Sequence, residues 1–206
     1  MKFYNSIGPN PRVVKMFMAE KGIDIPRGEV DLRAGENRQA AHLARNPSGQ
    51  MPTLELDDGR YLAEVTVICE YLEERHPNPP LIGATADERA MTRMWTRRID
   101  LQIVEPMLNG FRGAEGFNFF KERMRLFPQA AADLKTLAQE RIAWLDGLIA
   151  GRDYIAGDRF SLADILLFCT MDFAATVGQP VNRDNANIAA WFDRVGARPS
   201  SAASKA

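Results

Sequence analysis

A proline cluster, Pro77-Asn78-Pro79-Pro80, cuts the chain into two stretches with different hydrophobic periods. Proline lacks the N–H that would continue a helix, so the cluster ends the helical pattern that reaches it from Val65, Ile68, Cys69 and Leu72. Before it, a short strand at residues 2 to 5 runs into the turn formers Ile7-Gly8-Pro9-Asn10-Pro11. A helix follows, with Val13, Val14, Phe17 and Met18 on one face and Lys21-Gly22 at its end. Val30 and Leu32 alternate with Glu29 and Asp31 as a second strand would. The stretch from Glu36 to Arg45 is polar, helical or irregular, and Leu54, Leu56, Asp58-Gly59 and Tyr61-Leu62 then read as a hairpin. The order is β-α-β-α-β-β-α over residues 1–77, with a linker over residues 78–86.

Beyond the linker, residues 87–206 show no strand pattern. Helices are expected at about 87 to 110, 118 to 126, 129 to 150, 161 to 178 and 186 to 196. Ser161 and Asp164 form an S-x-x-D capping box ahead of Leu162, Ile165, Leu166, Cys169 and Phe173, a pattern that suits a buried central helix. The last residues, Ser200-Ser201-Ala202-Ala203-Ser204, offer nothing to a core, and a frayed tail is expected.

Composition narrows the function classes. The net charge of -1 gives no field to draw nucleic acid or an anionic membrane surface, so no nucleic-acid or membrane partner is expected. No stretch approaches the roughly 18 apolar residues of a membrane span, and no apolar run follows Lys2 as a leader would require. The two cysteines, Cys69 and Cys169, both fall in apolar helical patterns, which suits reduced thiols and a cytoplasmic location. His42 and His76 lack a metal-ligand spacing, so no metal is expected.

Four motifs carry a resemblance. Asn46-Pro47-Ser48-Gly49-Gln50-Met51-Pro52-Thr53-Leu54 is followed by Asp57-Asp58-Gly59, then by Leu62-Ala63-Glu64 and Ile68-Cys69-Glu70-Tyr71-Leu72. Far downstream stands Ala156-Gly157-Asp158-Arg159-Phe160-Ser161-Leu162-Ala163-Asp164-Ile165. In order and spacing these resemble the NPxGxxPxL, DG, L-x-E-S-x-A-I-x-x-Y-L and G-D-x-F-S-x-A-D segments of cytosolic glutathione transferases, bacterial nu-like members among them. The resemblance implies an α/β thioredoxin-like N-terminal domain, an all-α C-terminal domain, glutathione as co-substrate and a homodimer.

It also implies a site. Met51-Pro52 would carry a cis peptide bond that frees the Met51 backbone to pair with the cysteinyl part of glutathione. Glu64 would accept from the γ-glutamyl ammonium, and N–H groups at the start of the next helix would hold the adjacent carboxylate. The family's usual serine after that glutamate is Val65 here, so only its backbone N–H remains; Thr66 either compensates or simply starts the helix. Gln50 stands where the family often places a residue near the glycyl carboxylate, and is otherwise an exposed loop glutamine.

Conjugation needs a thiolate, and a donor near sulfur favours it. The turn Ser6-Ile7-Gly8-Pro9-Asn10-Pro11-Arg12 contains no cysteine, which removes a dithiol mechanism. Asn10 ranks first as donor, resembling the asparagine of the T-P-N turn in nu-like members, and Ser6 second. Tyr4 reads as core, and Arg12 either adds positive potential or is solvated. The second substrate would bind between the domains, against a helix carrying Met91, Met94, Trp95, Arg98 and Ile99, with Phe111, Arg112, Phe117, Phe119 and Phe120 nearby in sequence; core packing explains these residues equally well. Three activities follow from the resemblance: transfer of glutathione to small apolar electrophiles, reduction of a small disulfide by glutathione, and a non-catalytic interaction module that kept the fold.

Overall fold

A computed structural model of the chain describes residues 1–205. Its residues form two compact units, Met1–Leu81 joined by the segment beginning at Pro199, and Ile82–Arg198.

The first unit is built on a four-stranded mixed sheet. Strand β1, Lys2–Asn5, buries Phe3, Tyr4 and Asn5. Helix α1, Pro9–Lys21, starts with prolines in its first turn, where no N–H is needed, and ends at Gly22, whose left-handed φ of 64° lets its N–H close on Ala19 and Met18. Strand β2 covers Arg27–Glu29, upstream of the Glu29 to Leu32 stretch expected from alternation. The ladder stops there because Asp31 Oδ1 accepts from the N–H groups of Arg33 (2.7 Å) and Ala34 (3.0 Å) and turns the chain away. Val30 still donates its N–H to the Asn5 carbonyl at 2.9 Å just past the strand, and Val30 and Leu32 pack against Tyr4 and Met51.

After a 3-10 turn at Glu36–Arg38, helix α2, Ala40–Leu43, leads to strand β3, Thr53–Glu55, and strand β4, Tyr61–Leu62. Helix α3, Val65–Arg75, follows. The sheet order is β2-β1-β3-β4, with β1 parallel to β2 and antiparallel to β3, and β3 antiparallel to β4. Helices α1 and α3 pack side by side, burying Val13, Val14, Phe17, Ile68, Cys69 and Leu72 completely, as the helical spacing predicts.

The C-terminal ends of both helices meet at a buried ion pair. Lys21 Nζ lies 2.6 Å from Glu73 Oε2 and also donates to the carbonyls of His76 (2.6 Å) and Pro79 (2.7 Å). The Asn78–Pro79 bond is cis, as is Met51–Pro52.

The expected frayed tail is corrected. Residues Pro199–Ala203 form a short helix, α10, packed on α1, with Ser200, Ser201 and Ser204 buried. Small residues serve here because they hydrogen-bond and fit closely: Ser200 donates to Glu20, and Arg12 Nε donates to Ser204 Oγ at 3.2 Å.

The second unit is helical throughout its regular elements. Helix α4, Ala86–Ile99, opens on a Thr85 and Glu88 capping box. The expected helix of 87 to 110 is interrupted by a π-helical turn at Asp100–Val104 before α5, Glu105–Gly113. Pro106 explains the break: it has no N–H for Gln102 and its ring would strike that carbonyl, so the backbone widens and Glu105 N–H reaches Asp100 instead. Of the helix expected at 118 to 126, only α6, Phe117–Phe120, forms. Helices α7, Ala131–Leu148, α8, Leu162–Thr176, and α9, Ala186–Gly196, match the expected positions.

Helix α5 lies close against the start of α7 because Gly110 and Gly113 have no side chain; a Cβ on Gly110 would stand 2.7 Å from Lys135 Cγ. Helix α8 is buried over Leu162 to Met171, and Asp164 organises its start. The Asp164 carboxylate accepts from Ile155 N–H (2.9 Å), Ser161 N–H (2.9 Å) and hydroxyl (2.8 Å), and Trp191 Nε1 (2.8 Å). Among the described residues no helix is long and apolar enough to cross a membrane, and no cluster of His, Cys, Asp and Glu could hold a metal ion.

Candidate functional site

The sheet register brings the separated motifs to one edge. Tyr4 pairs with Thr53, so the carboxyl end of β1 lies beside Pro52, and Leu54 pairs with Leu62, so β4 runs on toward Glu64 at that same end. The turn after β1, the Met51-Pro52 step before β3 and the start of α3 therefore share one border of the sheet.

The chain entering β3 is held by side chains. Gly49 takes a left-handed φ of 63° and closes a turn by donating to the Asn46 carbonyl at 2.9 Å. Asn46 Oδ1 accepts from the Ser48 hydroxyl (2.7 Å) and N–H (3.1 Å), and Asn37 Nδ2 donates to the Gly49 carbonyl at 2.6 Å. The Gln50 carbonyl is held by Asn46 Nδ2 at 3.0 Å and by His42 Nε2 at 3.1 Å. Met51 itself is buried, and its N–H and C=O have no partner among the described residues. A backbone donor and acceptor fixed in place and left unpaired form a ready edge for an extended peptide. The half-buried Gln50 side chain is likewise unpaired among the described residues.

Glu64 is the one non-glycine residue with positive φ among the described residues (φ 65°, ψ 118°). Such a conformation costs about 1–3 kcal/mol and persists where the surroundings impose it. Its carboxylate is exposed and makes no hydrogen bond among the described residues, and no side chain caps α3. The N–H groups of Val65, Thr66 and Val67 accordingly stand free beside it, in the positive end of the helix dipole. A carboxylate next to unpaired helix N–H groups can grip an amino acid head group, ammonium on one side and carboxylate on the other.

In the β1–α1 turn the candidates separate. Ser6 is buried and donates its hydroxyl to the Val30 carbonyl at 2.6 Å. Asn10, half-buried in the first turn of α1, has an amide with no partner among the described residues. Tyr4 donates its phenol to Glu55 Oε2 at 2.8 Å beneath the Arg45 guanidinium, and burial together with that hydrogen bond pushes its pKa up. Arg12 turns to Ser204, just after α10. A cavity of about 340 Å³ is lined by Ser6, Ile7, Glu29, Val30, Asp31, Leu32 and Arg33, the residues that follow β1 and end β2.

Residues 7–75 match the glutathione S-transferase N-terminal domain and residues 118–199 match the glutathione S-transferase C-terminal domain. Glutathione S-transferase 2 of Saccharomyces cerevisiae is 32% identical over 195 residues, which are 94% of this chain and 84% of that relative. The chain belongs to the glutathione transferase family. The crystal structure of Gtt2 from the same yeast superposes on this glutathione transferase with a TM-score of 0.92 at 31% identity, covering 99% of this chain and 100% of that one. A maleylacetoacetate isomerase of Pseudomonas aeruginosa is 33% identical over 156 residues, 75% of this chain and 71% of the relative. The family uses glutathione.

Sequence reading of this transferase gave no positioning role to Asn37, to His42 or to Asn46, which it quoted only as part of a motif. Two of them, Asn37 and His42, lie in the polar stretch before β3, where nothing in the local pattern distinguishes a buried positioning side chain from a solvated one. They are 4% and 2% exposed, which only the folded chain reveals.

Proposed function

We propose that this glutathione transferase binds glutathione along Met51, with Gln50 near the glycyl carboxylate and Glu64, Val65 and Thr66 around the γ-glutamyl group. There it transfers the thiolate to small apolar electrophiles, acting as a cytoplasmic homodimer in detoxification. The unpaired Met51 backbone, on the same sheet border as Glu64 and the uncapped α3 N-terminus, is the observation that carries this reading. Val65 supplies its N–H to the γ-glutamyl carboxylate, so the loss of the usual serine hydroxyl removes one contact and leaves the helix-end interaction in place. Asn10 supports the chemistry as the free amide of the turn: an N–H donated to sulfur favours thiolate over thiol. Ser6, the second candidate, has already donated its only proton.

Calorimetric titration with glutathione, with cysteinylglycine as the analogue lacking the γ-glutamyl group, tests the binding half. Saturable binding of glutathione lost with cysteinylglycine is expected; no binding at millimolar glutathione would leave the non-catalytic module as the better reading. Turnover of chlorodinitrobenzene against hydroxyethyl disulfide then separates conjugation from disulfide reduction, with the former expected to be faster.

A further inference from the structure

Helix α1 has no cap of its own at the end that carries Asn10. Its N-cap position is Gly8, at φ 113°, no side chain accepts from its first turn, and two of its first three residues are prolines. The placing of that turn therefore depends on what its other side chains grip. Pro11 is buried, and Arg12 Nε donates to Ser204 Oγ at 3.2 Å.

Ser204 stands 192 residues further along the chain than Arg12, yet it lies in the same compact unit as α1. It is 1% exposed and fully engaged. Its N–H donates to the Ser200 carbonyl at 2.9 Å and its hydroxyl to the Ser201 carbonyl at 2.9 Å, which leaves the hydroxyl lone pairs for the guanidinium. At the other end of α1 the Ser200 hydroxyl donates to Glu20. The segment from Ser200 to Ser204 thus runs antiparallel to α1 and grips it near both ends, each time through a hydroxyl and a charged group, the stronger kind of hydrogen bond. Asn10 and Arg12 are separated by roughly 200° of rotation about the helix axis. Arg12 accordingly reaches Ser204 from the opposite side of the turn to Asn10, whose amide has no partner among the described residues.

We infer that Ser204 is a positioning residue for thiolate formation: by holding Arg12 it fixes the first turn of α1, and with it the Asn10 amide that donates to the glutathione sulfur. This role rests on the transferase reading, with Asn10 as the donor, and extends the support of that site to the segment around α10.

Ser204→Ala in the whole protein removes the acceptor for Arg12, Arg12→Gln removes the donor, and Ser200→Ala, which releases Glu20 instead, is the control. With saturating glutathione and chlorodinitrobenzene, kcat is expected to fall about three- to tenfold in the first two variants while KM for glutathione is nearly kept. The acid limb of the rate should move to higher pH, because a displaced amide favours the thiolate less and the bound thiol holds its proton longer. Ser200→Ala should lower stability and leave the pH profile in place. A profile unchanged in both Ser204→Ala and Arg12→Gln, or shifted equally in Ser200→Ala, would overturn the inference. Amide NMR of the protein without glutathione keeps the two readings apart: the Asn10 side-chain resonances should shift in Ser204→Ala and Arg12→Gln and stay in Ser200→Ala. A wild-type protein that neither binds nor turns over glutathione would speak against the transferase reading; the Asn10 resonances would then decide alone, their shift showing that Ser204 holds the turn and their constancy that it does not.

Discussion

The hydroxyl of Ser6 donates to the carbonyl of Val30 at 2.6 Å, tying the end of β1 to the residue just after β2. A serine has one proton to give, so this contact competes with any bond from Ser6 to a thiolate. Ser6→Ala leaves a buried carbonyl short of a partner and is expected to lower stability by about 1–2 kcal/mol while turnover with saturating glutathione holds. Asn10→Ala is expected to do the reverse: the rate falls at least about tenfold and the pKa of bound glutathione rises, while glutathione affinity changes little. Urea unfolding and the pH dependence of the rate read the two effects. Activity that survives Asn10→Ala and is lost in Ser6→Ala would invert the assignment.

Glu64 combines a strained backbone with a free carboxylate, and two substitutions separate these properties. Glu64→Ala keeps the unfavourable φ and should weaken glutathione binding about 10- to 100-fold through loss of a charged contact. Glu64→Gly should lose the same affinity yet raise the unfolding midpoint relative to Glu64→Ala, because glycine adopts φ 65° without a Cβ clash. Unchanged affinity in both variants would remove Glu64 from the site.

Asn46 acts on the site only through the turn it organises. Asn46→Ala removes the donor to the Gln50 carbonyl and the acceptor for Ser48. The Met51 edge should loosen, raising KM for glutathione several-fold with kcat at saturation nearly kept. Asn46→Asp retains the acceptor for Ser48 and should recover part of the loss; a fall in kcat without a change in KM would contradict this role.

The Lys21 and Glu73 pair joins the ends of α1 and α3 in the interior. Lys21→Met removes the counter-charge of the buried Glu73 carboxylate, which still accepts from the Leu81 N–H at 3.2 Å, and the donor to the carbonyls of His76 and Pro79, and is expected to cost about 3–5 kcal/mol in denaturant unfolding. Adding Glu73→Leu should recover part of that loss, because the second buried charge is then also gone. A double variant no more stable than Lys21→Met would show that the carbonyl contacts, and not the ion pair, dominate.

Much of this arrangement was legible before folding was considered. Hydrophobic period, proline punctuation and turn chemistry are local properties, so they announce α1 and α3, the hairpin around Asp58-Gly59 and the capping box of Ser161 and Asp164 from the residues themselves. The motif around Pro52 and Glu64 likewise marked the half that matches the glutathione S-transferase N-terminal domain. What lies between elements distant in sequence was not legible. The proton of Ser6 is engaged by Val30, the carbonyl of Gln50 is held by the buried His42, and the serines after Pro199 close onto α1 instead of fraying. A donor's availability and a polar residue's burial depend on which partner the tertiary fold brings near, and a hydrogen bond between residues far apart in the chain leaves no period in the sequence.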